Sequence, residues 1–532
     1  MPERLIEKPV FWLLLICSVN FLFMLGGHSL WDVDEPNNAV CAREMLEAGN
    51  WWVPVFNGDL RFDKPILLYW LMMPAFSVFG VNEFAARLPS ALSMTALTFT
   101  VFYFGSRLVS ARAGVYAALM FATTLHVVVI GRAVTPDPVF MLCICFAMFA
   151  LFCVYRERPD SPRLIYAAYV AIGFGVLAKG PVAVLMPGLI FLSFLLLAGK
   201  WREIMWFKPI HGLLIILAVA LPWYITVGVL TDGVWLEGFI LHHNIDRFAE
   251  PLQGHKGFPG LYLLSLLLGA FPWSGLLLAA LFFGGWRLAE LRDEPLRLFL
   301  LCWIGTFVIF FSIARTQLPN YILPVFPAVA LLMSSWLCET KLKRAARWLL
   351  WGAGILSMSL LIGAGFALQQ QWPGEWVYAA SFLPVVAVTG WLLFGRKQAP
   401  LSVIGMAMTV CVALLAGWVT PAFDAHKVAP KLAAKADQAG FDGSQLATYR
   451  YFQPSLLFYH GGRLPQLGSV AEVSAWMEGG KAVVMPENTM EELPARMRAQ
   501  LVVHEQVHGL YARKRLLLLS LATEEGKIWT SP

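Results

Sequence analysis

Apolar stretches long enough to cross a bilayer recur along almost the whole of this chain, and they leave few folds open to it. A spanning helix needs about 20 predominantly apolar residues. About thirteen segments reach or approach that length, at roughly 10–27, 84–106, 112–131, 136–155, 163–178, 180–198, 209–230, 258–284, 297–314, 318–337, 347–368, 376–394 and 400–419. Hydrocarbon offers no hydrogen bonds to an open backbone, so runs of this kind are expected as helices. Of the 532 residues 58% are hydrophobic and 14% charged, where a soluble domain carries about 25% charged residues. The expected class is an α-helical polytopic membrane protein. The first segment has the composition of a signal peptide, but no small-x-small cleavage site follows Gly27, so it is expected to be retained.

The basic residues set the orientation. Arg4 and Lys8 precede the first span. Arg107 and Arg112, then Arg156, Arg158 and Arg163, then Lys200, Arg202 and Lys208 follow the second, fourth and sixth. Arg287, Arg292 and Arg297, then Lys341, Lys343, Arg344 and Arg347, then Arg396 and Lys397 continue the alternation. Those loops and the N-terminus are expected in the cytoplasm. The other loops and the C-terminus then face outward, which in a bacterium is the periplasm. The net charge of +6 comes from these span ends and is no sign of a nucleic-acid partner. Six of the 8 cysteines (Cys17, Cys143, Cys145, Cys153, Cys302 and Cys411) lie in apolar runs and read as small hydrophobes, not as a disulfide framework.

The composition changes after Thr420. QLATYRYF, KAVVMPE, QLVVHEQV and RLLLLSLA read as strands, while VAEVSAWMEGG and MEELPARMRAQ read as helices, the second capped by Asn488 or Thr489. The expected domains are a membrane domain over 1–420 and a small outward-facing α/β domain over 421–532. No internal repeat of the kind that marks many transporters is present.

The first outer loop, WDVDEPNNAVCAREMLEAGNWWVPVFNGDLRFDKPILLYW, holds Asp32, Asp34, Glu35, Asp63 and Lys64 beside the bilayer. Charges in that position are costly and mark a functional site by default. Pro36 points to a helix start with the acids at its positive end. Ala39, Ala42, Met45 and Leu46 recur at helical spacing and Gly49 ends the run, which predicts a short helix on the membrane surface with Trp51 and Trp52 as interfacial anchors. Asp34 and Glu35 can be caps of that helix or reactive groups. Lys64 can snorkel, or bind an anionic headgroup while Asp63 tunes it or holds a metal. The apolar run after Pro65 predicts a second interfacial helix.

Other outer loops repeat the theme. Arg132 and Asp137 lie between spans three and four, and Lys179 between five and six. His242, His243, Arg247, His255 and Lys256 follow span seven, and Arg315 and Tyr321 lie between nine and ten. Carboxylates, cations, histidines and a tyrosine beside lipid suit a substrate with a phosphate and an apolar tail. The histidine pair reads first as structural, since no third ligand stands near it. No phosphate-binding P-loop, dinucleotide fingerprint, G-x-S-x-G or C-x-x-C is present.

DEPNNAVCAREMLEAGNWWVPVFNGDLRFDKPILLYWL, followed by FGVNEFAARLPSAL, resembles the first-loop signature of bacterial GT-C glycosyltransferases. The likeness is to the lipid A aminoarabinose transferases and to the related dolichyl-phosphate-mannose protein mannosyltransferases. The family pattern runs DE-x-x-Y, R-E-M, G-x-W-x-x-P and F-x-K-P-P, then YW. Here Asn38 replaces the tyrosine and Ile66 follows a single proline. TPDP, HNIDRF and LPNYILPVFP also match. The likeness covers spans one to ten.

The resemblance implies a GT-C fold in the bacterial inner membrane and a sugar donor linked to undecaprenyl or another polyprenyl phosphate. It implies lipid A or another envelope glycolipid as the leading acceptor. Asp34 matches the family's catalytic carboxylate and Asp137 a second carboxylate at the cavity, with Glu35 a further catalytic candidate. Lys64, Arg247 and Tyr321 match positions that hold the donor phosphate. Asp63 and His243 match positions where relatives can hold a divalent metal. Two alternatives stay open: a protein hydroxyl as acceptor, and transport of lipid or polysaccharide in place of catalysis. A transporter is expected to place its charges at mid-membrane in broken helices, whereas this chain concentrates them on outer loops.

Overall fold

The computed structural model describes residues 7–157, 162–246, 257–284, 287–339, 401–424, 426–508 and 515–522. The expected spans at 347–368 and 376–394, together with Arg247, His255 and Lys256, lie outside the described residues. The chain divides into two compact units. One comprises Met1–Leu25, Phe62–Leu71 and Arg87–Val419. The other comprises Gly26–Arg61, Met72–Ala86 and Thr420–Pro532, so most of the first outer loop groups with the C-terminal residues.

The first unit is a helical membrane body. Among the described residues six helices are long and apolar enough to cross a bilayer: Glu83–Leu108, Asp137–Glu157, Pro209–Leu230, Pro295–Ile313, Pro319–Cys338 and Leu401–Asp424. Two bent pairs raise the number to eight if each is one span. Ala111–Ala122 and Leu125–Gly131 meet at 62°. Leu261–Gly269 and Ser274–Phe283 meet at 118°, where the sequence predicts one straight span over 258–284. Pro272 sits in that break; it has no N–H to continue a helix and its ring excludes the preceding turn. The freed backbone is reused, since Leu125 N–H donates to Phe271 O at 2.8 Å. Trp273 Nε1 also donates to Thr123 Oγ1 at 3.0 Å, which ties the two broken pairs together. The first apolar helix begins at Pro9 as expected but ends at Leu22. Arg132 caps its open end, donating to Asn20 O, Phe23 O and Met24 O at 3.2, 2.9 and 3.2 Å. Arg87 is fully buried and donates to Leu25 O at 2.9 Å.

The second unit is built on a five-stranded sheet of order β4-β3-β5-β7-β6. The hairpin β1 (Val55–Phe56) and β2 (Asp59–Leu60) belongs to the first loop. The sheet strands are β3 (Leu446–Tyr449), β4 (Gln466–Leu467), β5 (Ala482–Pro486), β6 (Leu501–His508) and β7 (Arg515–Leu521). β3 runs parallel to β4 and β5; β7 runs antiparallel to β5 and β6, with Val483 opposite Leu519. β3 and β5 are buried along their whole length, as central strands covered on both faces must be. One core layer joins Tyr449, Val483, Met485, Leu517 and Leu519 to Val473 and Met477 of a covering helix, Val470–Glu478. The helix predicted over MEELPARMRAQ is instead a 3-10 turn, Glu487–Glu492, and a single turn, Ala495–Arg498. Pro494 between them forbids a continuous helix.

The first-loop helix forms where predicted, as α1 (Asp34–Glu47), and Gly49 ends it at φ +62°. Its apolar face does not lie on lipid. Ala39, Ala42 and Met45 are fully buried, and the helix packs on α3 (Pro454–His460); α2 (Val428–Gln438) lies on that helix's other flank. The triplet Arg43-Glu44-Met45 explains the docking. Arg43 is 3% exposed and donates to Leu457 O, Phe458 O and Gly462 O at 3.2, 3.1 and 3.3 Å, which places a cation on the negative end of α3. The Glu44 carboxylate accepts the N–H groups of Asn57 and Gly58 at 2.9 and 3.1 Å, pinning the turn of the β1–β2 hairpin. Asn57 and Gly58 both have positive φ, the geometry for which an Asn-Gly pair is suited. Asn57 also exchanges two hydrogen bonds with the backbone of Leu464, at 3.0 and 2.8 Å.

Arg43→Met keeps the bulk and removes the donors. The loss leaves buried carbonyls without partners and is expected to destabilise the unit by about 2–3 kcal/mol. Thermal unfolding of the detergent-solubilised protein checks it, and an unchanged midpoint contradicts the docking role.

Candidate functional site

In the membrane unit the ends of several helices bring charged and aromatic groups together. Asp137 is the first residue of the helix Asp137–Glu157, and Lys179 is the last of Pro162–Lys179. A carboxylate at a helix start and an ammonium at a helix end each complement the local dipole. The two meet at 2.5 Å, with side chains 11% and 18% exposed. Lys179 Nζ also lies 5.5 Å from the ring centres of both Phe140 and Tyr321. Tyr321 is set in the short 3-10 turn Pro319–Val325 and packs on Phe311 at 4.9 Å. Its neighbour Asn320 is 3.2 Å from His126 Nε2, with Oδ1 as the contacting atom. Two candidates from separate loops, Asp137 and Tyr321, are thus joined through Lys179. The sequence displays Lys179 only as a charge between spans; its pairing with Asp137 is set by where the two helix ends pack.

A second group lies at Asp63 and His243. Asp63 Oδ1 and His243 Nε2 are 3.0 Å apart, and Phe62 packs against the imidazole with ring centres 5.7 Å apart. Lys64 follows directly and is partly buried. Among the described residues no cluster of three or more His, Cys, Asp or Glu side chains is present. The pair supplies two protein ligands in direct contact with each other, fewer than the three that a catalytic metal of the zinc type takes. The two side chains form a carboxylate–imidazole pair.

In the second unit the acids at the start of α1 have distinct surroundings. Asp34 is exposed at the first helical residue. Glu35 is 4% exposed and its Oε2 accepts the Trp31 N–H at 2.7 Å, which ties the turn before α1 to the helix. Asp32 accepts from Ser455 N–H at 2.9 Å, from Ser455 Oγ at 2.5 Å and from Gln453 Nε2 at 2.6 Å. Burial pushes the Asp32 carboxyl up from its ordinary value, and these donors hold it down in part. Asp32 therefore holds the loop onto the start of α3 and is committed to structure. Asp34 is the acid of this loop whose setting leaves it open to a ligand.

The architecture has solved counterparts. The chain superposes on the crystal structure of ArnT from Cupriavidus metallidurans bound to undecaprenyl phosphate with a TM-score of 0.78, over 97% of this chain and 98% of that one, at 21% identity. The apo structure of the same protein gives 0.78 at 20% identity. A sequence profile for dolichyl-phosphate-mannose-protein mannosyltransferase matches residues 63–225. The undecaprenyl phosphate-alpha-4-amino-4-deoxy-L-arabinose arabinosyl transferase of Pectobacterium atrosepticum is 31% identical over 438 residues, 79% of this chain and 78% of the relative. The enzyme of the same name from Edwardsiella ictaluri is 34% identical over 331 residues, 61% and 59% of the two chains. Fold and site thus define a polytopic membrane glycosyltransferase of the GT-C class. Within that class the chain belongs to the undecaprenyl phosphate-alpha-4-amino-4-deoxy-L-arabinose arabinosyl transferase family.

Removing one member of the Asp137–Lys179 pair strands the other charge. Asp137→Asn and Lys179→Met are each expected to cost about 3 kcal/mol, and the double variant less than the sum of the two. Additive losses in thermal unfolding of the purified protein contradict a direct pair.

Proposed function

We propose that this protein transfers a sugar of the 4-amino-4-deoxy-L-arabinose type from a polyprenyl-phosphate donor to lipid A or a similar envelope glycolipid at the periplasmic face of the inner membrane. The observation that carries the reading is the 31% identity, over most of both chains, with a relative named for that transfer. The complete architecture in this reading has thirteen spans, a cytoplasmic N-terminus and an outward-facing C-terminal α/β domain.

In the reaction the bond between the sugar C1 and the phosphate oxygen breaks, and a bond from C1 to an acceptor oxygen forms. Negative charge grows on the departing polyprenyl phosphate. Fixed cations and donors aimed at that charge lower the barrier. Lys64, Arg247 and the Tyr321 hydroxyl take that role. Asp137 fixes Lys179 beside the Tyr321 ring, and the pair holds that ring in place at the same helix ends. Asp34 serves at the sugar. With a hydroxyl acceptor it accepts the proton released as the new bond forms. With a phosphate acceptor, which is already ionised, no proton is released, and Asp34 binds the donor's amine. Glu35 holds the turn before α1 and so positions Asp34. Asp63 and His243 brace each other beside Lys64.

The mannosyltransferase profile over residues 63–225 favours a second acceptor, a protein hydroxyl. Transport is set aside because the chain belongs to a transferase family.

Asp34→Asn in the purified, reconstituted enzyme is expected to lower turnover by about 100-fold or more while donor-lipid binding persists. Lys64→Ala is expected to lower turnover by about 100-fold through the leaving phosphate. Wild-type turnover in either variant removes the corresponding assignment.

A further inference from the structure

A cleft of about 440 Å³ opens in the second unit between α2 and β6. Small-molecule sites typically measure roughly 300–1,000 Å³. The floor is Val428 and Val507. The rim is His426, Lys427, Lys431 and Lys435 on one side and Glu505, Gln506 and His508 on the other. Lys431 and Lys435 are four residues apart in α2, so they stand on one face of the helix. Like charges at that spacing repel, and the helix tolerates them without an acid between them.

The lysines do not share one job. Lys427 is buried and committed to structure. Its ammonium donates to Ser29 O at 2.6 Å, lies 3.3 Å from Asp424 and sits 3.8 Å over the Trp31 ring. Lys431 and Lys435 are exposed and flank the small side chain of Ala434, which leaves the cleft open between them. On the opposite wall Arg515 Nε donates to His508 Nε2 at 3.2 Å. That contact makes Nε2 an acceptor and leaves the proton of the neutral ring on Nδ1. The one carboxylate of the rim, Glu505, takes the Gln506 N–H at 3.2 Å. The cleft therefore presents two ammonium groups, with imidazole and amide groups across from them, over an apolar floor.

We propose that this cleft binds a phosphomonoester: a compact group of oxygen acceptors placed between Lys431 and Lys435. Lysine serves such groups as a point charge. A phosphorylated glycolipid and a free phosphate share this chemistry. The site stands independently of the transferase reading.

The test uses the full-length protein in phosphatidylcholine vesicles. One arm measures binding of inorganic phosphate by equilibrium dialysis; the other measures enrichment of phosphatidic acid around the protein in mixed vesicles. The double charge reversal Lys431→Glu/Lys435→Glu is expected to lose about tenfold or more in affinity. The milder Lys431→Gln/Lys435→Gln is expected to lose affinity with unchanged circular dichroism, which excludes unfolding as the cause. Lys481→Glu places the same charge change elsewhere in the unit and is expected to leave binding intact. Binding of both probes supports the shared phosphomonoester, and enrichment of phosphatidic acid alone supports it with a lipid as the source. Binding of neither probe, or equal binding by wild type and the double variant, overturns the site. An equal loss in Lys481→Glu overturns it too.

Discussion

A charge beside hydrocarbon is stable only with a partner held in place, and the helix ends of the membrane unit are organised around that condition. Asp137 and Lys179 meet at 2.5 Å because one helix starts where another ends, so both dipoles favour the charges that the sequence supplies. Arg132 turns its guanidinium onto three carbonyls at the end of the first helix, and Arg87 onto Leu25 O. These contacts fix the helix ends, and Lys179 in turn lies 5.5 Å from the Tyr321 ring centre.

The first loop obeys a different rule. Its Arg43-Glu44-Met45 triplet is not spent on chemistry. Arg43 caps α3, Glu44 holds the Asn57–Gly58 turn, and Met45 fills the core. Asp32 and Glu35 likewise hold backbone and side-chain donors. Asp34 is exposed at the start of α1. The loop is thus held in place largely by its own charged residues.

Much of this was legible in the sequence, because hydropathy and helical spacing are local properties. The spans at 84–106, 136–155 and 209–230 appear within a few residues of their expected limits. α1 and its Gly49 stop appear as read, and so do strands β3, β5, β6 and β7. The failures have physical causes. Pro272 lies in a run apolar enough to hide a 118° break. The apolar face of α1 looks the same whether lipid or protein covers it, and the covering residues lie some four hundred positions away in α3. The Asn57–Gly58 pair was a readable hairpin signal. At the site, Asp137 and Tyr321 stood out by type and place, whereas Lys179, which joins them, needed the packing of two helix ends to be seen.

The account rests on transfer of a sugar from a lipid carrier to an envelope lipid. Mass spectrometry of the envelope lipids from a strain lacking this protein, compared with the same strain carrying it again, tests that most directly. The prediction is a glycolipid species heavier by one aminopentose residue that disappears with the protein and returns with it. It should fail to return when the restored copy carries Asp34→Asn. An unchanged lipid profile, with a glycosylated protein lost in its place, would contradict the lipid acceptor and point to a protein hydroxyl.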